Sequence, residues 1–235
     1  TMAMENPAYL NAYQTVRELG FQVLPVDMDE EGLRVSQLEQ SGADLAYVTP
    51  ARQYPTGVVL PIGRRSRLIK WAREKEERYI IEDDYDSEFR YYGKPIPALQ
   101  GIDESDKVIY MGTFSKAIAP AIRIGYMVLP KSLVPAYRKT AGIFSCAVSR
   151  IDQSVLTSFL SEGHFERHLN RMRNVYKEKH DLLIQKLKEI DSRITVYGAG
   201  AGLHVRVDFH IQDTDWFEKE LLKRGVRVYP LSMYY

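Results

Sequence analysis

The chain has 235 residues, 45% of them hydrophobic and 27% charged, which is an ordinary composition for a folded domain and enough chain for one large domain or one domain plus part of a second. Its 32 basic and 31 acidic residues leave a formal net charge of +1, so these residues make no global electrostatic case for nucleic acid. The lone cysteine, Cys146, excludes an internal disulfide, no apolar run is long enough to span a bilayer, and no signal-peptide pattern opens the chain. A cytoplasmic setting is expected, with Cys146 a small buried apolar residue.

In chain order, Thr1-Met-Ala-Met reads as the middle of an apolar strand, and the last residues read as a strand with nothing after it, so both ends look cut. Pro7 to Leu19 has helical spacing and stops at Gly20, a good helix terminator. Phe21 to Val26 predicts a strand, Leu33 to Gln40 a short helix, and Leu45 to Val48 a strand that enters the Pro- and Gly-marked loop from Thr49 to Gly57. Pro61 opens a helix to about Glu77. Tyr79–Ile81, Val108–Met111 and Ile124–Leu129 predict three more strands. Strands that are continuous apolar runs, alternating with helices, predict a three-layer α/β/α fold with a mostly parallel, sandwiched sheet.

After Leu129 the pattern changes. Lys131–Thr140, Ile151–Leu160 and the long, charged stretch His164–Ile190 predict helices. Short strands at Ile194–Tyr197 and Leu203–Phe209, a helix over Thr214–Arg224 and a final strand at Val226–Tyr229 follow. The expected division is a large domain over residues 1–160, then the long helix and part of a smaller α+β domain over 161–235.

In parallel sheets, ligands bind beyond the carboxyl ends of the strands. Three such places carry unusual residues: Glu82-Asp83-Asp84-Tyr85-Asp86 after Tyr79-Ile-Ile, Thr113-Phe-Ser-Lys116 after Val108-Ile-Tyr-Met, and Arg123 seven residues on. A cofactor with an aldehyde, a pyridine ring and a phosphate needs this kit. A lysine amine is the nucleophile for the aldehyde, and a buried carboxylate keeps the ring nitrogen protonated. Hydroxyls and an arginine fork suit the phosphate, and a tyrosine hydroxyl suits the ring oxygen. Asp83 and Tyr85 are two residues apart, so they share one face in extended chain.

Tyr79-Ile-Ile-Glu-Asp-Asp-Tyr-Asp-Ser-Glu-Phe-Arg-Tyr resembles the aspartate segment of MocR-type regulators, a branch of the GntR family. Tyr110-Met-Gly-Thr-Phe-Ser-Lys and Arg123-Ile-Gly-Tyr resemble their lysine segment. Gln53-Tyr54-Pro55-Thr56-Gly57 and Gly198-Ala-Gly-Ala-Gly-Leu-His204 are similar to that branch as well. The resemblance implies the large domain of the aminotransferase fold (fold type I of pyridoxal-phosphate proteins) and pyridoxal 5'-phosphate as cofactor. In it Lys116 would form the Schiff base, Asp83 pair with the pyridinium nitrogen, and Tyr85 bond the ring oxygen. Thr113, Ser115 and Arg123 would hold the phosphate. It also implies an amine or amino acid effector, a homodimer, and DNA binding through an N-terminal winged helix-turn-helix outside these residues. Classical aminotransferases have asparagine where Tyr54 stands, which favours the regulator branch. Arg52 stands where that branch often has histidine. A free-standing amino acid aminotransferase is the alternative reading, and a domain that has lost its cofactor is a third.

Other features have blander readings. Glu82, Asp84 and Asp86 are expected to be helix-start or surface acids. The pair His164 and His168, four apart, is expected on a solvated helix face with no third ligand for a metal. Gly198 to Gly202 is expected to be a tight turn that places His204 near the ligand. No metal site is expected.

Overall fold

The architecture follows from β-strands buried on both faces. The computed structural model describes residues 1–235. Its elements are β1 (Met2–Asn6), α1 (Leu10–Glu18), β2 (Val23–Asp29), β3 (Gly32–Leu33), α2 (Val35–Gln40), β4 (Leu45–Val48), α3 (Ile62–Arg73), β5 (Tyr79–Asp84), α4 (Leu99–Ile102), β6 (Val108–Thr113), α5 (Phe114–Ala117) and β7 (Gly125–Val128). Then come α6 (Val134–Ala141), α7 (Arg150–Ser161), α8 (His164–Ile190), β8 (Thr195–Tyr197), β9 (Arg206–Asp208) and α9 (Thr214–Lys223).

The first seven strands form one sheet in the order β3-β2-β1-β4-β5-β6-β7. β2, β1, β4, β5 and β6 run parallel; β3 and β7, at the two edges, run antiparallel to their neighbours. β8 and β9 form a separate two-stranded antiparallel pair.

Alternate residues of each central strand feed two separate cores. Ala46 and Val48 of β4 and Ile80 of β5 pack with Leu38 of α2, with Leu68, Trp71 and Ala72 of α3, and with Leu99 of α4. Leu45 and Tyr47 of β4, Ile81 of β5 and Met111 of β6 pack with Val16, Ala12 and Tyr13 around α1. Helices therefore cover both faces, giving the three layers that continuous apolar strands require. Local signals set the ends. Gly20 stops α1 with a left-handed φ of 87°, Ser149 caps α7 through the Ile151 N–H, and Asp213 caps α9 through the Trp216 N–H.

Several sequence expectations change. β5 and β6 extend past their apolar runs, because Glu82, Asp83 and Asp84 pair in register with Tyr110, Met111 and Gly112. The acid run begins inside the sheet, not in a loop. Glu82 and Asp84 are therefore buried, at 0% and 6% exposure, and Asp86, just past the strand, is 2% exposed against Arg52; none is a surface acid. β3 and α4 are additional short elements, each too brief to show a period. Val226–Tyr229 forms no strand and pairs with neither sheet. The chain instead ends in a turn of 3-10 helix at Leu231–Tyr234, whose Tyr234 carbonyl accepts from the Ala8 N–H at 3.1 Å. Cys146 is exposed, not buried, because Ser145 to Ser149 runs between α6 and α7 without joining a core. No helix is long and apolar enough to cross a membrane.

Candidate functional site

The carboxyl ends of β4, β5 and β6 carry the residues that matter. β5 places Asp83 on the same face as Ile81, toward α1, and its neighbours Glu82 and Asp84 on the opposite face. The Asp83 carboxylate accepts one hydrogen bond, at Oδ2, from the Tyr47 hydroxyl of β4. Its Oδ1 has no protein partner. Burial pushes its pKa up, the Tyr47 hydroxyl pulls it back down, and the Asp84 charge adds to the rise.

β6 ends at Thr113, whose Oγ1 accepts from the Ser115 N–H at 3.1 Å and so turns the chain into α5. Lys116 sits on that single turn and is exposed. The return strand is laid beside it. Phe114 N–H donates to the Ile124 carbonyl at 3.0 Å, and the Thr113 hydroxyl reaches the same carbonyl at 3.3 Å. Arg123 precedes this contact in a left-handed conformation, φ 48°, with its guanidinium exposed. Thr113, Ser115, Lys116 and Arg123 thus share one corner of the sheet, beside the strand that holds Asp83. Neither Lys116 nor Arg123 belongs to any of the ion pairs of the fold. The close fit here needs glycine: a Cβ on Gly112 would stand 2.4 Å from Cζ of Tyr126 across the ladder.

Tyr85 lies just past β5, and its hydroxyl donates to the Arg52 carbonyl at 3.0 Å. Its ring stacks near His204 at 6.4 Å, and the Tyr54 ring stands edge-on to His204 at 5.2 Å. The Tyr54 hydroxyl meets that of Tyr234 at 3.0 Å. Burial and Arg52 push the His204 pKa down to about 4, against the Pro55 carbonyl, and the Lys116 charge adds to the fall. The tight turn at Gly198–Gly202 does bring His204 beside the expected site.

Arg52 is the residue whose part sequence reasoning left unassigned. Its side chain is 1% exposed and forms a seam between the loop after β4 and the segment before β9. It contacts Asp86 Oδ2 at 3.4 Å, His204 Nδ1 at 2.9 Å, the Gly198 carbonyl at 3.2 Å and the His204 carbonyl. A Cβ on Gly202, where φ is +75°, would lie 2.0 Å from Arg52 Nη1. The glycines of that turn make room for this guanidinium, a pairing separated by 152 positions between Arg52 and His204 that no local pattern reveals.

The buried acids on the other face are structural. Glu82 accepts from the Leu99 and Gln100 N–H groups at 2.8 and 2.9 Å and so anchors α4. Asp84 accepts from the Ser87 N–H and hydroxyl and from the Tyr110 hydroxyl. His164 pairs with Glu162 at 3.2 Å, and no group of three or more metal-ligating side chains exists anywhere in the structure.

Comparison with known proteins decides the family. The model of aminotransferase class I and II matches residues 2–235. The chain belongs to that family. Among curated proteins, this aminotransferase-family chain is 36% identical over its whole length to the uncharacterized HTH-type transcriptional regulator YdeL of Bacillus subtilis, covering 51% of it. It is 34% identical to the probable rhizopine catabolism regulatory protein MocR of Rhizobium meliloti, with 97% of this chain and 47% of that protein aligned. The chain therefore spans about half the length of the curated relatives it matches. Among solved structures, it superposes on a Pyrococcus horikoshii kynurenine aminotransferase complexed with PMP. The TM-score is 0.88 at 27% identity, over all of this chain and 60% of that one. The mostly parallel sheet expected from sequence is the fold of that family, and the resemblance to MocR-type regulators holds across the chain.

Proposed function

We propose that this chain is the effector-sensing part of a MocR/GntR-type transcription regulator and that it holds pyridoxal 5'-phosphate. What supports the reading is that Asp83 on β5 lies beside the β6 end that carries Thr113, Ser115 and Lys116, with Arg123 on the return, in a chain similar along its length to HTH-type regulators. The donor set fits the cofactor. Asp83 keeps Oδ1 uncommitted, which suits a protonated ring nitrogen, and the turn after β6 carries the lysine, hydroxyls and arginine that an aldehyde and a phosphate call for.

When bound, pyridoxal phosphate supplies an aldehyde that condenses reversibly with primary amines and a ring that accepts electron density. The chain's own residues do the rest. Lys116 would hold the cofactor's aldehyde carbon through Nζ. Asp83 holds the ring proton in place by charge. Ser115 would donate a hydroxyl hydrogen bond and Arg123 a fork-shaped cation to the phosphate, and Thr113 would turn to it the proton it now gives the Ile124 carbonyl. Tyr85, whose hydroxyl now donates to the Arg52 carbonyl, would hold the ring oxygen.

In this reading an amine or amino acid effector has a higher affinity for one arrangement of the segments around Lys116 and shifts the population toward it. The shift passes to a DNA-binding winged helix-turn-helix elsewhere in the protein. The protein is cytoplasmic and a homodimer. Residues 1–160 form the large cofactor-holding domain, and residues 161–235 lead into a smaller one.

The experiment is spectroscopic. Full-length protein should show a visible band that borohydride bleaches and fixes to Lys116. Lys116→Ala should lose the covalent link entirely. Asp83→Ala should weaken cofactor binding and shift the band; unchanged spectrum and affinity in Asp83→Ala would refute the role given to it. A second reading, an amino acid aminotransferase, draws on the likeness to the P. horikoshii enzyme. Steady turnover with an amino donor and a 2-oxo acid favours the enzyme; a reaction that stops after one exchange favours the sensor.

A further inference from the structure

The proposed site places Asp83 under the cofactor ring, but a buried carboxylate does not hold its charge or its aim unaided. We propose that Tyr47 is the positioning residue that orients Asp83 and keeps it anionic for the cofactor's ring nitrogen. The proposal rests on the reading above that the chain holds pyridoxal phosphate.

The geometry is specific. β4 lies between β1 and β5, with Tyr47 in register with Ile81 on one side and Met4 on the other. Tyr47 is 7% exposed and belongs to the core under α1, the face toward which Asp83 points. Its ring is thereby locked by packing, and its hydroxyl makes the one hydrogen bond that Asp83 receives. Oδ2 is occupied, so Oδ1 is left for the ligand, and the carboxylate plane is fixed by a rigid phenol two strand positions back.

The choice of partner has chemical meaning. An arginine or lysine in this place would also orient Asp83, but it would neutralise the charge that a pyridinium needs. A phenol donates one hydrogen bond and brings no charge. It does not ionise in competition either, because burial and the neighbouring Asp83 push the Tyr47 hydroxyl far above the ordinary tyrosine range. Burial works against the charge on Asp83, and the Tyr47 hydrogen bond is the contact that opposes it. Glu5, fully buried nearby and hydrogen-bonded through Oε2 to Thr49, adds to the rise in the Tyr47 pKa.

The test compares full-length wild type with Tyr47→Phe, which removes one oxygen and keeps the ring. The first readout needs no cofactor. Infrared difference spectroscopy, with Asp83→Asn as the subtraction standard, follows the Asp83 carboxyl band through a pH titration. Its protonation midpoint should move up by about one pH unit or more in Tyr47→Phe, the scale of a hydrogen bond to a charged group. Pyridoxal phosphate affinity should fall by about 10- to 100-fold on the same grounds. The pH at which the bound chromophore changes colour should move with it. Tyr47→Phe keeps the ring and hence the packing, so a role in packing alone would leave these titrations in place.

An unmoved Asp83 midpoint in a folded Tyr47→Phe protein overturns the proposal. Should that variant not fold, Tyr47→3-fluorotyrosine keeps the shape and makes the hydroxyl a stronger donor. It must lower the Asp83 midpoint, and no movement again overturns the proposal. Failure of the underlying reading looks different: wild type itself would then bind no pyridoxal phosphate and give no borohydride-trapped Lys116.

Discussion

Strand β5 presents two kinds of buried acid, one on each side of the sheet. On the α3–α4 side, Glu82 and Asp84 have both oxygens engaged by backbone N–H groups or hydroxyls of the same chain. On the α1 side, Asp83 has one oxygen engaged and one uncommitted. The three carboxylates are adjacent in sequence, yet Glu82 and Asp84 are buried and Asp83 is half-buried. What separates structure from chemistry is the number of bonds left unmade. A saturated buried acid holds the fold together, whereas a half-buried one with an uncommitted oxygen is open to a further partner.

The comparison can be broken most forcefully away from β5, at the seam that Asp86 shares with Arg52. Gly202→Ala should destabilise the protein by about 4 kcal/mol or more. It forces a side chain into Arg52 at a left-handed backbone position and splits a buried ion pair, whose loss costs 3–5 kcal/mol in general. Urea unfolding reads this directly, and a loss below about 1 kcal/mol would mean that the seam is not under tension. Next in size, Glu82→Ala strands the Leu99 and Gln100 N–H groups. It should cost about 2–4 kcal/mol, by the penalty for unsatisfied buried donors, while leaving the affinity for pyridoxal phosphate within about threefold of wild type. A large loss of affinity in Glu82→Ala with intact stability would reverse the roles assigned to the two faces.

The smallest effect is a pH dependence at Glu5. Burial raises its pKa to about 7, against the Thr49 hydrogen bonds, from an ordinary value of 4.5. The folded state then binds more protons than the unfolded state between those two values, so the contribution of Glu5 to stability falls as pH rises through that window. Glu5→Gln removes this titration. It should gain on the order of 2 kcal/mol relative to wild type at pH 8 and show little gain at pH 5. A gain of equal size at both pH values would show that Glu5 does not titrate in that window.

Much of the fold was legible in sequence because it rests on local rules. The bounds of α8 match the expected His164–Ile190 in full, and β4 matches Leu45–Val48, since a long charged amphipathic run and a short apolar one are unambiguous. Strands β5 and β6 were read short because polar residues at their carboxyl ends still pair in the ladder. That same extension carries Asp83 inside the sheet. The site residues were recognisable as types: Thr113, Ser115, Lys116 and Arg123 follow the carboxyl end of β6, and Asp83 lies on the neighbouring strand β5. Tyr47 and Arg52 were not recognisable. Tyr47 looks like any strand aromatic, and Arg52 acts on residues some 150 positions away, where neither spacing nor composition leaves a trace. The burial of Glu82, Asp84 and Asp86 was missed for a related reason: a run of acids reads as solvated unless its partners, distant in sequence, are known.

The contact between Arg52 and His204 decides more than packing. A guanidinium has only hydrogens to give, so the imidazole nitrogen 2.9 Å away, Nδ1, must meet it with a lone pair. With a pKa near 4, the ring at neutral pH carries a single proton, and that proton is therefore confined to Nε2. His204 is thereby stripped of the ambivalence for which histidine is usually chosen. It behaves as an aromatic amide, with one N–H fixed on Nε2, and does not serve as a proton shuttle at neutral pH.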